Sequence, residues 1–473
     1  MSELDLQITG DVARRITLLS RLSDDVPFPE SLNNTIFNPV IRDLADIDFY
    51  KLTMAKYVLQ HHQGVEVRYQ LAIRKNVTFT QRDLAEIKRQ VAYIGTLYFG
   101  EKSQKHIEKH AHYLGREFMD WLKGLRMHPE DVHLWLDKDG HLQCIVQGLY
   151  AKTIFWETYI LAIINEIYNH HRFPALTIHQ KLQVYKKAYN KGKWFRERKI
   201  HFVEFGTRRR YSTEVHRITL MGLIDGARNS DGTCYLRGTS NVMLSAEFAD
   251  VDSGLAPCGY SYFDRPPQGT QAHEIYSVEA ALSGLERANT EVPRKWAVTY
   301  PKRPGTLLPD TFTTKYFLRT CDPKYLWMYN SIRHDSDPDL FGWTDLVLDF
   351  LQALGIDTRT MYLLFSDGID NFEIIEKIFG YRADECLKTF CIGTWFTNDL
   401  YDINGSSPIP AVIKVVAVRK SADHPWVHAA KISDNPKKAI GDKETIAEYN
   451  RKIFDTNPVP PLEDLVPGYK KAA

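Results

Sequence analysis

Residues 201–213 read HFVEFGTRRRYST, and this stretch decides the fold class. The short run His201–Phe205 predicts a β-strand, and Ser212-Thr213 is a typical start of a following helix. A Gly-Thr turn and three consecutive arginines lie between the two. A strand that is followed closely by a helix is the repeating unit of folds built on a parallel sheet.

The same strand–helix unit recurs towards the C-terminus. We predict a strand ahead of Gly269 and further strands at Cys234–Arg237, Trp296–Tyr300, Met328–Ile332, Met361–Phe365, Phe390–Ile392 and Ala411–Val418. About seven such units, against eight in a regular barrel, indicate an α/β protein with an irregular, TIM-like barrel. A doubly wound parallel sheet is the alternative.

The first 150 residues predict a different, mixed α/β unit. Apolar residues alternate over Val65–Arg74, which is typical of a strand, and His133–Gln147 reads as a strand hairpin. The expected organisation is an N-terminal mixed α/β domain (1–150), a helical connection (151–200), the barrel with the active site (201–420) and a C-terminal segment that packs back near the N-terminal domain (421–473).

Composition excludes several classes of function. The 473 residues carry 60 Lys and Arg against 59 Asp and Glu, so the near-zero net charge argues against nucleic-acid and polybasic membrane partners. The most apolar stretch, 153–168, contains Glu157 and Glu166, which makes it too charged to span a bilayer. Six cysteines without a CxxC pair, and no basic-then-apolar segment in Met1–Arg15, favour a reduced, cytoplasmic protein.

Polar clusters follow the predicted strands. They are Gly206–Arg210, Gly238–Asn241, Gly269–Glu274, Arg333–Ser336, Ser366–Gly368 and Gly393-Thr394. In an α/β barrel the carboxyl ends of all strands open on one face, so these clusters are expected to converge on one site.

The content of the clusters indicates an anionic ligand. Gly-Thr ahead of a helix offers backbone N–H groups to a phosphate. Asp335 and Asp367 can accept from ribose hydroxyls or hold Mg²⁺, and Arg208, Arg209 and Arg333 can bind phosphate or carboxylate. With neither a Walker A nor a GxGxxG motif in the sequence, we expect a phosphorylated sugar together with a second anion.

The order of these motifs resembles that of the nicotinate phosphoribosyltransferase family. The matching segments are Asp48–Met54, Glu204–Arg209, Gly238–Asn241, Gly269–Glu274, Arg333–Ser336, Ser366-Asp367, Ile392–Thr394 and Ala430–Asp434. The resemblance runs from about Asp48 to Ile440, which is most of the chain. Each motif is short, but the ordered set is specific.

The resemblance implies a type II phosphoribosyltransferase fold with its site at a homodimer interface. It also implies a reaction, in which nicotinate and 5-phosphoribosyl-1-pyrophosphate give nicotinate mononucleotide and pyrophosphate, the first step of NAD salvage from nicotinate. ATP hydrolysis would be coupled to this reaction through a phosphohistidine, and Mg²⁺ would be required.

The resemblance further implies a role for individual residues. His273 matches the phosphorylated histidine, a neutral nucleophile that Glu274 or another carboxylate could orient. Phe205 and Tyr50 match the aromatics that sandwich the pyridine ring, with Tyr50 from the partner subunit. The remaining matches are Arg333 near the pyridine carboxylate, Arg208 on the phosphate side, Asp335 and Asp367 around ribose, pyrophosphate and Mg²⁺, and Gly393 and Thr394 at the 5′-phosphate.

Ser240 bears on the choice of substrate. Nicotinamide-using relatives have an aspartate at this point, which would repel a carboxylate, whereas a serine hydroxyl can donate to it. The chain departs from the family at Asp337, which follows Ser336 without the usual glycine, and at Cys391, which replaces a glycine. The alternatives are a nicotinamide or quinolinate enzyme, a barrel aldolase or isomerase, and a non-catalytic ligand-binding homologue.

Overall fold

The structure is a computed structural model that describes residues 3–21, 38–249, 271–302 and 305–455. The Gly269-Thr270 pair, the strand predicted ahead of it and the last residues of the C-terminal segment lie outside the described residues. In the described ranges no helix has the length and apolar character that crossing a membrane requires.

Within the described residues, ten strands form two five-stranded sheets. The strands are β1 (Glu66–Ile73), β2 (Val132–Leu136), β3 (Leu142–Leu149), β4 (Phe202–Glu204), β5 (Leu236–Thr239), β6 (Ser331–His334), β7 (Tyr362–Phe365), β8 (Leu387–Ile392), β9 (Ala411–Arg419) and β10 (Val427–His428). One sheet has the order β10-β9-β1-β3-β2 and is antiparallel, and the other has the order β5-β4-β8-β7-β6 and is parallel.

In the part of the chain that the structure describes, nineteen α-helices surround the sheets. They are α1 (Glu3–Arg21), α2 (Tyr50–His61), α3 (Gln81–Ile94), α4 (Glu101–His110), α5 (Arg116–Gly124), α6 (Tyr150–Thr153), α7 (Trp156–Arg172), α8 (Ile178–Glu197), α9 (Thr213–Ala227), α10 (Val242–Ala249), α11 (His273–Ser283), α12 (Leu285–Thr299), α13 (Thr314–Thr320), α14 (Pro323–Met328), α15 (Leu340–Ala353), α16 (Phe372–Gly380), α17 (Thr394–Thr397), α18 (Tyr401–Asn404) and α19 (Lys443–Asn450).

The parallel sheet confirms the α/β class. Its first strand in chain order, β4, pairs with its last, β8. This pairing is expected in a closed barrel and is uncommon in doubly wound sheets. A parallel bridge from Leu307 to Ile332 extends the sheet beyond β6, and the Gln271 backbone N–H donates to Thr306. The complete barrel and the domain boundaries stay predictions.

Two predicted strands are wrong in type or place. Trp296–Tyr300 was expected to be a strand from its Trp, Val and Tyr residues, yet α12 runs to Thr299, with Val292, Trp296 and Thr299 buried at helical spacing. Ala411–Val418 is a strand, but it lies in the antiparallel sheet beside β1 rather than in the parallel one. Long-range pairing across more than 300 positions leaves no local sign in the sequence.

The segment ahead of α2 joins the two sheets. The Phe49 backbone N–H donates to the Ser240 carbonyl at 2.6 Å, and Asp48 forms a bridge with Asn241 just after β5. Asp46 and Arg210 form a fully buried bidentate ion pair with distances of 2.6 and 2.7 Å. These contacts fix the start of α2 at the carboxyl ends of the parallel strands.

Helices α8 and α9 pack unusually closely because glycines lie at their contact. A Cβ at Gly192 would stand 2.5 Å from the Leu223 carbonyl oxygen, and one at Gly226 would overlap the Tyr189 carbonyl. We therefore expect Gly226→Ala to destabilise the protein by about 1–3 kcal/mol, the usual cost of overpacking, measured by chemical denaturation.

Gly124→Ala is the matched control, because it lies in helix α5 with nothing within 4 Å of an added Cβ. It should leave stability unchanged or raise it by up to about 1 kcal/mol. Equal effects of the two substitutions would contradict the packing account.

Candidate active site

A cavity of about 290 Å³ opens at the carboxyl ends of the parallel strands and against β9. All predicted site residues line it except Ser240: they are Tyr50, Phe205, Arg208, Arg209, His273, Arg333, Asp335, Asp367, Gly393 and Thr394. Of the six polar clusters, five contribute described residues to the cavity, whereas Gly238–Asn241 contributes none. The predicted convergence therefore holds for five clusters.

Two aromatic rings form one end of the cavity. Tyr50 and Phe205 lie with their ring centroids 6.1 Å apart and their planes 22° apart. The Arg208 guanidinium stands 5.6 Å from the Tyr50 centroid, and that of Arg333 stands 5.6 Å from the Phe205 centroid. In the structure Tyr50 and Phe205 of the same chain lie together, and a contribution of Tyr50 to the site of a partner subunit stays a prediction.

A buried ion cluster lies directly behind these rings. Glu157 of α7 contacts Lys51 at 2.5 Å, Lys414 at 2.9 Å and Arg208 at 3.3 Å, and Lys51 also reaches Glu274 at 3.1 Å. Burial alone would raise the pKa of Glu157, but the three cations hold this pKa well below its usual range. Glu157 is therefore a carboxylate at neutral pH.

His273, the first residue of α11, forms the other end of the cavity. Its Nδ1 lies 2.9 Å from Thr311 Oγ1, and its Nε2 lies 2.9 Å from Asp335 Oδ2 and 2.8 Å from Lys431 Nζ. Burial lowers the pKa of His273, and the charge of Lys431 lowers it further. The imidazole is thus neutral near pH 7, as a nucleophile must be.

The carboxylate that orients the His273 ring is Asp335. Glu274, named first for this role in the sequence analysis, instead pairs with Lys51. Thr311 and Lys431 also contact the His273 ring. The segments that carry them are linked, because the N–H groups of Ile432 and Ser433 both donate to the Thr311 carbonyl.

Asp335 also organises Arg333. The guanidinium Nη2 donates to Asp335 Oδ1 at 2.5 Å, while its Nε donates to Ser366 Oγ at 2.7 Å. Burial would raise the pKa of Asp335, but Arg333, His273 and Lys431 hold it well below its usual range. A permanent carboxylate between an arginine and a histidine fixes the directions of both.

Two guanidinium groups at the mouth remain available to a ligand. Within the described ranges, the side chains of Arg74 and Arg209 have no protein hydrogen bond or ion pair, and both line the cavity. Asp367 lies on the same side, with Oδ2 paired to Lys438 Nζ at 2.5 Å. Free guanidinium groups beside a cavity suit phosphate or carboxylate ligands.

The glycines of the predicted phosphate turns are required by close packing. A Cβ at Gly393 would stand 3.0 Å from the Phe205 carbonyl oxygen, and one at Gly206 would overlap the Thr397 hydroxyl. Thr394 begins α17, which is a single turn long. Cys391 lies in the cavity wall, where burial raises the pKa of its thiol to about 11.

Ser240 contributes differently from the expectation. Its Oγ donates to Asp48 Oδ1 at 2.6 Å, and the residue does not line the cavity. A direct contact with the substrate was predicted from the position of Ser240 in the Gly-Thr motif, which carries no information on where the hydroxyl points.

Several side chains of the cavity wall are absent from the predicted site residues. They are Lys414, Lys438, Arg74 and Glu157, together with Lys431, which the sequence analysis includes only as part of the matching segment Ala430–Asp434. Two of these carried a signal, since Glu157 and Lys414 are lone charges within the apolar runs TIFWETYILAII and AVIKVVAV. A charge retained in a buried segment indicates a paired or functional group.

The acidic residues fit a magnesium ion that arrives with a phosphorylated substrate. Mg²⁺ is usually held by one or two carboxylates together with substrate phosphates and waters. Asp367 is partly exposed, and its Oδ1 has no protein partner in the described ranges. Asp335 would have to share oxygens that already accept from Arg333 and His273. The ligand atoms of His273, Asp310 and Asp335 all lie within 4.8 Å of one another. The Lys431 ammonium is 2.8 Å from His273 Nε2, so a positive charge is already present beside this group.

Comparison with known proteins gives a consistent result. The sequence matches the nicotinate phosphoribosyltransferase family over residues 200–457 and the N-terminal domain of that family over 45–165. It is 28% identical over 412 residues to the nicotinate phosphoribosyltransferase of Desulforapulum autotrophicum, covering 86% of this chain and 97% of the relative. It is 29% identical over 414 residues to that of Chromohalobacter salexigens, covering 88% and 98%.

Solved structures agree. That of nicotinate phosphoribosyltransferase from Porphyromonas gingivalis superposes with a TM-score of 0.78 at 28% identity, covering 88% of this chain and 100% of the other. That from Vibrio cholerae superposes with a TM-score of 0.76 at 28% identity, covering 90% and 96%.

The fold and the site define an α/β protein with one cavity that is lined by two aromatic rings and several cations. The family matches cover more than half of the chain. The chain therefore belongs to the nicotinate phosphoribosyltransferase family.

The contact between Lys431 and His273 yields a test that needs no substrate. Lys431→Met removes a positive charge 2.8 Å from the imidazole, so the pKa of His273 should rise, because the imidazolium loses a repulsion. NMR titration of the His273 ring measures this, with His273→Gln to assign the resonance. An unchanged or lower pKa would contradict the geometry.

Proposed function

We propose that this protein transfers the phosphoribosyl group of 5-phosphoribosyl-1-pyrophosphate to nicotinate and couples the transfer to ATP hydrolysis through phosphorylation of His273. The observation that carries the proposal is the shared cavity. It has a parallel pair of rings flanked by two arginines at one end, and a neutral histidine held by Asp335 and Lys431 at the other. The first end suits an aromatic acid, and the second suits phosphoryl chemistry.

The transfer step requires positioning more than proton transfer. The ring nitrogen of nicotinate forms the new bond to C1 of the sugar, while the bond from C1 to the pyrophosphate oxygen breaks. That nitrogen is unprotonated near pH 7, so no general base is required. Tyr50 and Phe205 would hold the ring in line, and Arg208 and Arg333 would attract its carboxylate charge.

The cations at the mouth are suited to the charge of the sugar pyrophosphate. Arg74, Arg209 and Lys438 would bind its phosphates, with the Gly393-Thr394 turn at the 5′-phosphate. Asp335 and Asp367 would hold Mg²⁺, which when bound neutralises charge on the departing pyrophosphate. Charge neutralisation favours loss of pyrophosphate from an oxocarbenium-like transition state.

The coupling step uses His273 as a nucleophile. A ring nitrogen would attack the γ-phosphorus of ATP, and the bond from that phosphorus to ADP would break. Lys431, 2.8 Å from Nε2, supplies positive charge where the phosphoryl group would sit. Hydrolysis of the phosphohistidine would then release phosphate and regenerate the free imidazole.

The resemblance also implies a homodimer, and we retain this as a proposal. Because one chain provides both Tyr50 and Phe205, a second copy would complete or shield the mouth rather than supply the ring pair.

Product analysis tests the proposed activity directly. The purified protein is incubated with phosphoribosyl pyrophosphate and Mg²⁺, with nicotinate, nicotinamide or quinolinate in turn, with and without ATP. We expect nicotinate mononucleotide, in higher yield with ATP, and little product from the other two bases. Failure to form a mononucleotide from nicotinate would overturn the proposal.

His273→Ala tests the coupling within the same assay. The variant should lose both the stimulation by ATP and the acid-labile phosphate on the protein, because alanine has no ring nitrogen to accept the phosphoryl group. The basal transfer without ATP should persist at a reduced rate. Retained stimulation together with retained labile phosphate would exclude the role of His273.

A further inference from the structure

A chain of three side chains connects Ser240 to the ring end of the cavity. Ser240 Oγ donates to Asp48 Oδ1 at 2.6 Å, and Asp48 Oδ2 lies 3.0 Å from Arg208 Nε. Asp48 is fully buried. It lies outside the cavity wall, whereas Arg208 lies in that wall. The carboxylate is therefore enclosed between a hydroxyl and a guanidinium, the second of which faces the ligand space.

The backbone fixes this arrangement from both sides. Ser240 donates its N–H to the Glu204 carbonyl at 2.8 Å and accepts from the Phe49 N–H at 2.6 Å. Ser240 is thus locked between the end of β4 and the segment that leads into Tyr50. The Ser240 hydroxyl cannot readily donate to a substrate instead of Asp48. The buried carboxylate oxygen of Asp48 would then lose its hydrogen bond, which is costly.

Arg208 is oriented by two carboxylates. Besides Asp48, it contacts Glu157 through Nη1 at 3.3 Å, and its guanidinium stands 5.6 Å from the Tyr50 centroid. In the described ranges Nη2 has no protein partner. The two carboxylates thus determine where Arg208 presents its free N–H groups beside the Tyr50 ring.

We propose that Asp48 is a positioning residue for Arg208 and that Ser240 influences the choice of substrate through Asp48, without touching the substrate. This inference rests on the proposed function. The Arg208 guanidinium beside the Tyr50 ring would attract the carboxylate of nicotinate. It would not attract the neutral amide of nicotinamide in the same way. Selectivity for the acid then depends on the whole chain of contacts.

Two substitutions break the chain at different points. In Asp48→Asn the amide oxygen can still accept from Ser240, but the amide N–H₂ then faces Arg208, so the charge pair is lost. In Ser240→Ala the charge pair remains, but Asp48 loses its fixed donor. Neither substitution adds volume at the buried site.

The experiment measures the KM for nicotinate and the inhibition constant for nicotinamide in each variant. Asp48→Asn should reduce the preference for nicotinate over nicotinamide by about tenfold, the size expected for one charge-assisted contact. Ser240→Ala should reduce it less. The double variant Ser240→Ala, Asp48→Asn should show the same preference as Asp48→Asn alone. Ser240 would act only through the pair of Asp48 and Arg208, which Asp48→Asn has already removed.

Asp43→Asn is the matched control. Asp43 is a partly buried carboxylate of the same segment, accepting from Ser103 at 2.8 Å and Gly100 at 3.0 Å, and it does not line the cavity. Its substitution should lower the melting temperature without changing the preference between the two bases. If Asp48→Asn likewise lowers the melting temperature without changing the preference, Asp48 acts in folding alone. That result would overturn the inference.

Arg208→Ala provides a second background in case Asp48→Asn fails to fold. There too Ser240→Ala should have no further effect on the preference. A full effect of Ser240→Ala in either background would overturn the inference in favour of direct contact with the substrate. A wild-type protein that makes no nicotinate mononucleotide would refute the proposed function itself, which is a separate outcome.

Discussion

One buried carboxylate, Glu157, joins the parts of this molecule that make the site. It contacts Lys51 from α2, Lys414 from β9 and Arg208 from the turn after β4. The antiparallel sheet, α7 and the parallel sheet thus meet at one charge. Loss of a single partner from such a buried cluster leaves a charge without compensation, which typically costs about 3–5 kcal/mol. The cavity exists because these elements are held against one another here.

Both functional ends of the cavity are neighbours of this cluster in the chain. Lys51 follows Tyr50, and Glu274, which Lys51 also contacts, follows His273. The starts of α2 and α11 are therefore fixed together, and with them the aromatic pair and the histidine. With Asp48, which pairs with Arg208, the cluster has three cations and three carboxylates. In the described ranges the guanidinium groups that are left for an anionic ligand are those of Arg74 and Arg209 at the mouth. A nearly neutral chain can in this way hold a strongly charged substrate.

The sequence predicted the local features well and the long-range ones poorly. The strand and turn at 201–209, the strand–helix alternation and the convergence of Arg333, Asp335 and His273 follow from periodicity and from the rule for carboxyl ends of parallel strands. The pairing of β9 with β1 could not be predicted in this way, because the register between distant strands leaves no local pattern in the sequence. The real partner of Ser240 was also hidden, since a motif names a residue type and not the direction of its hydroxyl.

We propose that the pyridine ring binds between Tyr50 and Phe205 of one chain, with its phosphoribosyl group directed towards Arg209 and Gly393. A crystal structure with nicotinate mononucleotide bound tests this claim most directly. The account predicts the ring stacked between these two side chains and the phosphate at the Gly393-Thr394 turn. A ring bound elsewhere, or stacked on Phe205 without Tyr50 of the same chain, would contradict it.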